Sequence, residues 1–326
     1  MTTRRAFLGA LAGGVLAAPF AAEAQPAEKV YRVGVVLEGG PYRAAVEGLR
    51  AGLKELGLEE GKHYILHIRD LKGDLAAVGE TARNLEQERV DLIFSVTTSV
   101  TTAAQRATRS VPIVFYTGRD PVAAGLVKSL AKPGGRLTGV QSRATDLTPK
   151  CLEILKEIVP KLRRVVGFID PGNQTARENA RLAQDAARQL RIDFVERPVR
   201  SVDELRESLR TLKAGEVDAI FVAGDAMVVS QSQLIVDAAI ARKLPTMFNQ
   251  KGSVAEGGLA SYGTSFHAVG RLASKHVQRV LSGTKPADLP VERIDRFELI
   301  VNLKTARAIG VTIPHSVLGR ADELIQ

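Results

Sequence analysis

Strands and amphipathic helices alternate along this chain, and the alternation runs through twice. In the first run, Val30–Val36, Tyr64–Ile68, Asp91–Val96, Val111–Tyr116 and Leu137–Gln141 read as strands. Helices are predicted over Tyr42–Leu56, where Ala45, Leu49, Leu53 and Leu56 fall at helical spacing, over Leu75–Gln87, and through Ala103 to Thr108. The second run has helices at Leu147–Ile158, Gln174–Leu190, Val202–Leu212, Ser230–Arg242 and Phe266–Leu281. Its strands are Arg164–Ile169, Ile192–Glu196, Asp218–Ala223, Leu244–Phe248 and Leu259–Tyr262. Continuous apolar strands such as Ala219-Ile220-Phe221-Val222 suit a sheet covered on both faces. This rhythm predicts an α/β fold of two Rossmann-like lobes with parallel sheets. The 326 residues suffice for two domains of ordinary size.

The polar stretch Gln141–Thr148 is the expected joint, with further crossings near Gly263–Ser265 and Lys285–Val291, a three-strand hinge. The expected division is an N-terminal lobe of 28–143 plus 264–288 and a C-terminal lobe of 144–263 plus 289–326.

Residues 1–24 read as an export signal. Arg4 and Arg5 precede Phe7-Leu8, an apolar stretch runs from Ala6 to Ala22, and Ala22-Glu23-Ala24 supplies the small-x-small cleavage pattern. The paired arginines resemble a twin-arginine signal. The stretch is shorter than the about 20 strongly apolar residues of a membrane span. No cysteine follows it to carry a lipid, so a free protein beginning near Gln25 is expected, in the periplasm.

The 45 Lys and Arg against 36 Asp and Glu leave a net charge of +9, but the charges are dispersed, which argues against a nucleic-acid surface. The single cysteine, Cys151, has no partner for a disulfide and reads as a core-facing helix residue. There is no phosphate loop, dinucleotide fingerprint or nucleophile elbow. His63 and His67 would stand roughly 13 Å apart along a strand, too far to share a metal. Neither catalytic residues, metal nor cofactor is expected.

In such sheets ligands bind beyond the carboxyl ends of the strands. The candidate binding residues are therefore Glu38, Gly39, Thr97, Thr98, Thr117, Asp120, Asn173, Asp225, Phe248 and Asn249. Hydroxyls, amides and helix N-termini suit a small polar or anionic ligand. Thr98, Asp120, Asn173 and Asp225 serve equally well as helix caps. Arg119 and Arg143 also fall near the expected cleft, where an arginine would favour a carboxylate, though a solvated surface position is the better reading of each.

Several segments carry a family resemblance. They are Asp120–Val127, Leu130–Val140, Glu256–Gly263, Phe297–Ala306, Gly310-Val311-Thr312-Ile313-Pro314 and Arg320–Glu323. Together they resemble the ABC-transporter substrate-binding family related to tryptophan/tyrosine-binding receptors, across essentially the whole mature chain. The resemblance implies a type I periplasmic-binding-protein fold, a ligand held between two closing lobes, and permease and ATPase partners. The expected function is thus a periplasmic, monomeric receptor of an ABC importer, not an enzyme, binding a small carboxylate-bearing solute such as an amino acid. Its acid group would meet Thr97, Thr98 and Thr117, Asp225 would hold an amine, and Tyr42, Tyr116 or Phe248 would stack on an apolar tail. An exported enzyme and a sensory binding protein are the alternatives for the same cleft.

Overall fold

The computed structural model describes residues 29–326 apart from Ala214 and Ala223, so residues 1–24, expected from sequence to be an export signal, lie outside the described residues. In chain order the strands are β1 (Tyr31–Leu37), β2 (Tyr64–Asp70), β3 (Leu92–Val96), β4 (Ile113–Thr117), β5 (Leu137–Gln141), β6 (Arg164–Ile169), β7 (Asp193–Pro198), β8 (Ala219–Phe221), β9 (Thr246–Phe248), β10 (Ala260–Gly263), β11 (Glu292–Arg293), β12 (Glu298–Asn302) and β13 (Glu323–Ile325). The helices are α1 (Arg43–Glu55), α2 (Val78–Gln87), α3 (Thr98–Ala107), α4 (Thr148–Ile158), α5 (Gln174–Leu190), α6 (Val202–Arg210), α7 (Ala226–Ser230), α8 (Ser232–Ala241), α9 (Lys251–Ala255), α10 (Phe266–Leu281), α11 (Leu303–Ile309) and α12 (His315–Leu318).

The strands form two sheets. The first has order β11-β5-β4-β3-β1-β2 and is parallel throughout. The second has order β13-β12-β10-β9-β8-β6-β7, parallel except where β12 runs antiparallel to β10. The central strands β3, β4 and β5 are buried along their whole length, as their unbroken apolar runs require. In each sheet the strand order reverses about one strand, between β1 and β3 and between β6 and β8. These reversals leave a crevice at the strands' carboxyl ends, which is where the two lobes meet.

The chain passes between the sheets three times: after β5, after β10 and after β11. Glu292 and Arg293 still pair with Val140 and Gln141 of the first sheet, so the third crossing follows Arg293 rather than spanning Lys285–Val291. The preceding segment is tied to the first lobe by Thr138, whose Oγ1 donates to the Leu289 carbonyl at 2.7 Å. One apolar cluster is continuous through both lobes, from Val35, Leu49 and Phe266 to Met227, Val228 and Phe248. Among the described residues, no helix is long and apolar enough to cross a membrane.

Candidate functional site

The reversal in strand order places four loops around one cleft. Glu38 follows β1 and is fully buried. Thr97 follows β3 and caps α3, its hydroxyl accepting from the Val100 N–H at 3.3 Å and donating to Glu38 Oε1 at 3.4 Å. Its backbone sits at φ 90°, ψ 155°, a region that costs an L residue about 1–3 kcal/mol and tends to mark functional sites. From the second lobe, Asp225 caps α7 and accepts from the backbone N–H groups of Asp170 (2.8 Å) and Val228 (3.2 Å). Asn173 caps α5, and its Oδ1 also accepts from Ser99 Oγ across the cleft at 3.2 Å.

The cavity enclosed between the lobes is lined by Thr97, Thr98, Ser99, Gly118, Tyr42, Tyr116 and Phe266 from the first lobe. Ala144, Thr145, Thr175, Asn179, Gly224, Ala226 and Asn249 complete it from the first crossing and the second lobe. Three aromatic rings form one wall: Phe266 lies 4.8 Å from Tyr42 and 5.7 Å from Tyr116, centroid to centroid. The Tyr116 hydroxyl bonds Ser142 Oγ at 2.8 Å, and burial pushes this phenol up to about 12, so it stays neutral. No lysine or arginine lines the cavity.

Burial is the largest cause of raised carboxyl pKa values on both sides. It pushes Asp225 up to about 6 against the N–H groups that stabilise its charge. It lifts Glu38 well above the usual range, with the neighbouring charge of Asp225 adding to the effect. Asp225 spends both oxygens on backbone N–H groups, whereas Glu38 Oε2 has no partner. Thr117 Oγ1, Asn173 Nδ2 and Asn249 Oδ1 are also buried without partners, all in or just beyond strand ends facing the cleft. A native interior leaves few such atoms unpaired, and their concentration here points to a ligand.

Of the residues expected from sequence, Thr97, Thr98 and Asn249 line the cavity and Asn173 lines the space that adjoins it, while Glu38, Thr117 and Asp225 are buried next to lining residues without lining it themselves. Gly39 does not line the cavity; its φ is +84°, and a Cβ there would run into the Asp70 carboxylate. Asp120 does not line the cavity: it turns onto the Val122 and Ala123 N–H groups, the capping role of an aspartate before proline. Phe248 is fully buried beneath Gly258 in the second lobe, and Phe266 occupies the ring position instead. Arg143 pairs with Asp146. The histidines are spent locally: His63 Nδ1 accepts from the Glu59 N–H, and His67 Nε2 lies 3.4 Å from Arg32 Nε. Cys151 is buried with its thiol on the Tyr262 carbonyl. Thr145, Thr175, Asn179 and Phe266 are not reached by the strand-end rule, whereas Ser99 belongs to the loop after β3 that the rule does single out. Phe266 opens the helix after a crossing, a position the strand-end rule does not inspect.

Two parallel α/β lobes, joined by three crossings around a polar and aromatic cleft, define a type I periplasmic-binding-protein fold. The family model for ABC transporter substrate binding protein matches residues 31–325, and the chain belongs to that family. It is 28% identical over 267 residues to a tyrosine-binding protein of Clostridioides difficile, covering 82% of this chain and 76% of the relative. A conserved domain protein from Vibrio cholerae superposes with a TM-score of 0.82 at 29% identity, covering 91% of this chain and all of the other. The ABC domain of Streptococcus pneumoniae in complex with L-Trp gives 0.79 at 26% identity, with the same coverage. The ligand-free, open structure of a substrate-binding protein with adhesive properties from Clostridium difficile gives 0.59 at 25% identity, again with the same coverage.

Proposed function

We propose that this protein is the periplasmic receptor of an ABC importer and that it closes on a zwitterionic amino acid bearing an aromatic or large apolar side chain. In this reading it is exported by its paired-arginine signal, acts as a monomer and delivers its ligand to a permease and ATPase pair. The lobes follow the two sheets, with the third crossing after Arg293. One observation carries the ligand assignment. Unpaired buried polar atoms from both lobes converge beside a wall of three rings, with no cation in the lining.

The ligand carboxylate fits the start of α3, where Thr98 presents a hydroxyl and Thr98 and Ser99 present free backbone N–H groups, with Thr117 nearby. The ammonium fits Glu38, whose Oε2 is free, with the Asp225 charge behind it. The side chain lies against Tyr42, Tyr116 and Phe266. The relatives named for tyrosine and L-Trp support this choice.

Native mass spectrometry followed by calorimetry with the twenty amino acids tests it. L-Tryptophan or L-tyrosine is expected to bind best, and the deaminated acid of the same ring is expected to bind at least about tenfold more weakly, the loss of one charge-assisted hydrogen bond. Failure of every amino acid to bind, or equal binding of the deaminated acid, overturns the assignment.

A further inference from the structure

Arg119 follows β4 in the first lobe, and Glu178 stands on the second turn of α5 in the second. Their side chains meet across the cleft, with Arg119 Nε 2.6 Å from Glu178 Oε2. The guanidinium is only 15% exposed and the carboxylate 33%. Among the described residues this is the one ion pair that joins the two lobes; the others stay within a lobe or along the crossing strand.

The pair also stands at an opening. A second cavity, of about 400 Å³, is walled in part by Arg119 and Asn173. It shares Thr98, Ser99 and Thr175 with the ligand cavity, so the two spaces adjoin beside the pair. Arg119 itself does not line the inner cavity, and its charge is already met by Glu178. It is thus a poor partner for the ligand carboxylate and a good one for the opposite lobe.

We infer that Arg119 and Glu178 form a latch at the mouth of the cleft, positioning the closed lobes and setting how long the ligand is retained. The inference rests on the reading of the chain as a closing receptor. A contact made only after closure does not help the ligand enter, so its loss is expected to appear in the dissociation rate and not in the association rate. The pair is partly buried, so salt screens it incompletely but measurably.

The chain contains no tryptophan, which makes the fluorescence of L-tryptophan a direct probe for stopped-flow measurement. Arg119→Ala and Glu178→Ala are each expected to release L-tryptophan about three- to tenfold faster, with association unchanged. Tenfold corresponds to about 1.4 kcal/mol. The double variant is expected to be no worse than either single one. The exchanged pair, Arg119→Glu with Glu178→Arg, is expected to recover most of the retention, which an arginine acting directly on the ligand would not allow. Raising salt should speed release from the wild type and leave the single variants nearly unchanged. If the wild type binds and these variants release at the wild-type rate, or the exchanged pair is no better than the singles, the latch is wrong. If the wild type binds no amino acid, the ligand reading fails instead. The Arg119→Cys, Glu178→Cys double variant then decides the latch: a disulfide formed across the cleft under mild oxidation supports it, and its absence overturns it.

Discussion

Glu38 and Asp225 come from opposite lobes, both are buried, and the cavity beside them is lined by no basic side chain. Two carboxylates in such surroundings favour the neutral form until a cation arrives between the lobes. Glu38→Gln keeps the shape and removes the charge. It is expected to weaken binding of a zwitterionic ligand roughly tenfold to hundredfold, the worth of a charge-assisted hydrogen bond. The same change should leave the ligand-free melting temperature unchanged or higher; a lower one would make Glu38 a structural residue and count against its ligand role. Asp225 adds a pH signature. Its folded value of about 6 lies above the ordinary aspartate value of 3.8, so the fold favours the protonated form. That stabilisation is present at low pH and is lost as pH rises through a window from about 4 to 6. The ligand-free protein should therefore melt higher at pH 5 than at pH 7, and Asp225→Asn should reduce the difference, the remainder coming from Glu38, which burial raises as well. Much of this chemistry was legible because strand ends at a reversal in sheet order must face the crevice. Asp225 was legible as a residue, but its two backbone N–H partners were not, and they move the free carboxylate oxygen to Glu38.

Helix α10 belongs to the first lobe although it follows β10 of the second, and its packing on α1 explains how. Gly48, Gly52 and Gly270 let the two backbones approach so closely that a Cβ on Gly270 would run into the Ala45 carbonyl. Gly270→Ala is expected to destabilise the protein by about 1–3 kcal/mol, as overpacking does, despite the better helix propensity of alanine. Thermal melts beside Gly283→Ala check this: Gly283 has open space around it but φ +93°, so its cost comes from the backbone alone. A Gly270→Ala melt equal to wild type would refute the close-packing account. The periodicity of Phe266–Leu281 located α10 to the residue, because a long amphipathic helix leaves a strong signal. The expected helix Ser230–Arg242 proves to be the end of α7 followed by α8, broken at Gln231. There Ser230 Oγ turns back onto the Met227 carbonyl, a local bond that apolar spacing does not register. The tail strands β12 and β13 break the alternating rhythm, and the antiparallel direction of β12 depends on a third crossing that strand patterns alone cannot orient.

The lobes of this molecule are shut. A Cβ on Gly40 of the first lobe would collide with the backbone carbonyl of Ser230 in the second, and Gln231 Nε2 donates to the Lys72 carbonyl at 3.0 Å across the same seam. At nearly equal identity and coverage, the chain also superposes better on the L-Trp complex (TM-score 0.79) than on the ligand-free, open structure (0.59). A closed cleft with buried polar atoms awaiting partners is stable only when a ligand satisfies them, so the ligand-free protein in solution is expected to open about its three crossings. Small-angle scattering should then show a larger radius of gyration without ligand and a contraction on adding L-tryptophan. Gly40 supplies the control, because its backbone at φ +54° and its contact with Ser230 leave no room for a side chain in the closed form. The open form would lift Ser230 away, so Gly40→Val is expected to fold, to keep the larger radius in the presence of L-tryptophan, and to bind it at least about tenfold more weakly, since the second lobe's contacts are then lost. Contraction of Gly40→Val to the wild-type radius, or a wild type whose radius does not change while L-tryptophan is bound, would show that ligand capture here does not proceed through closure of the lobes.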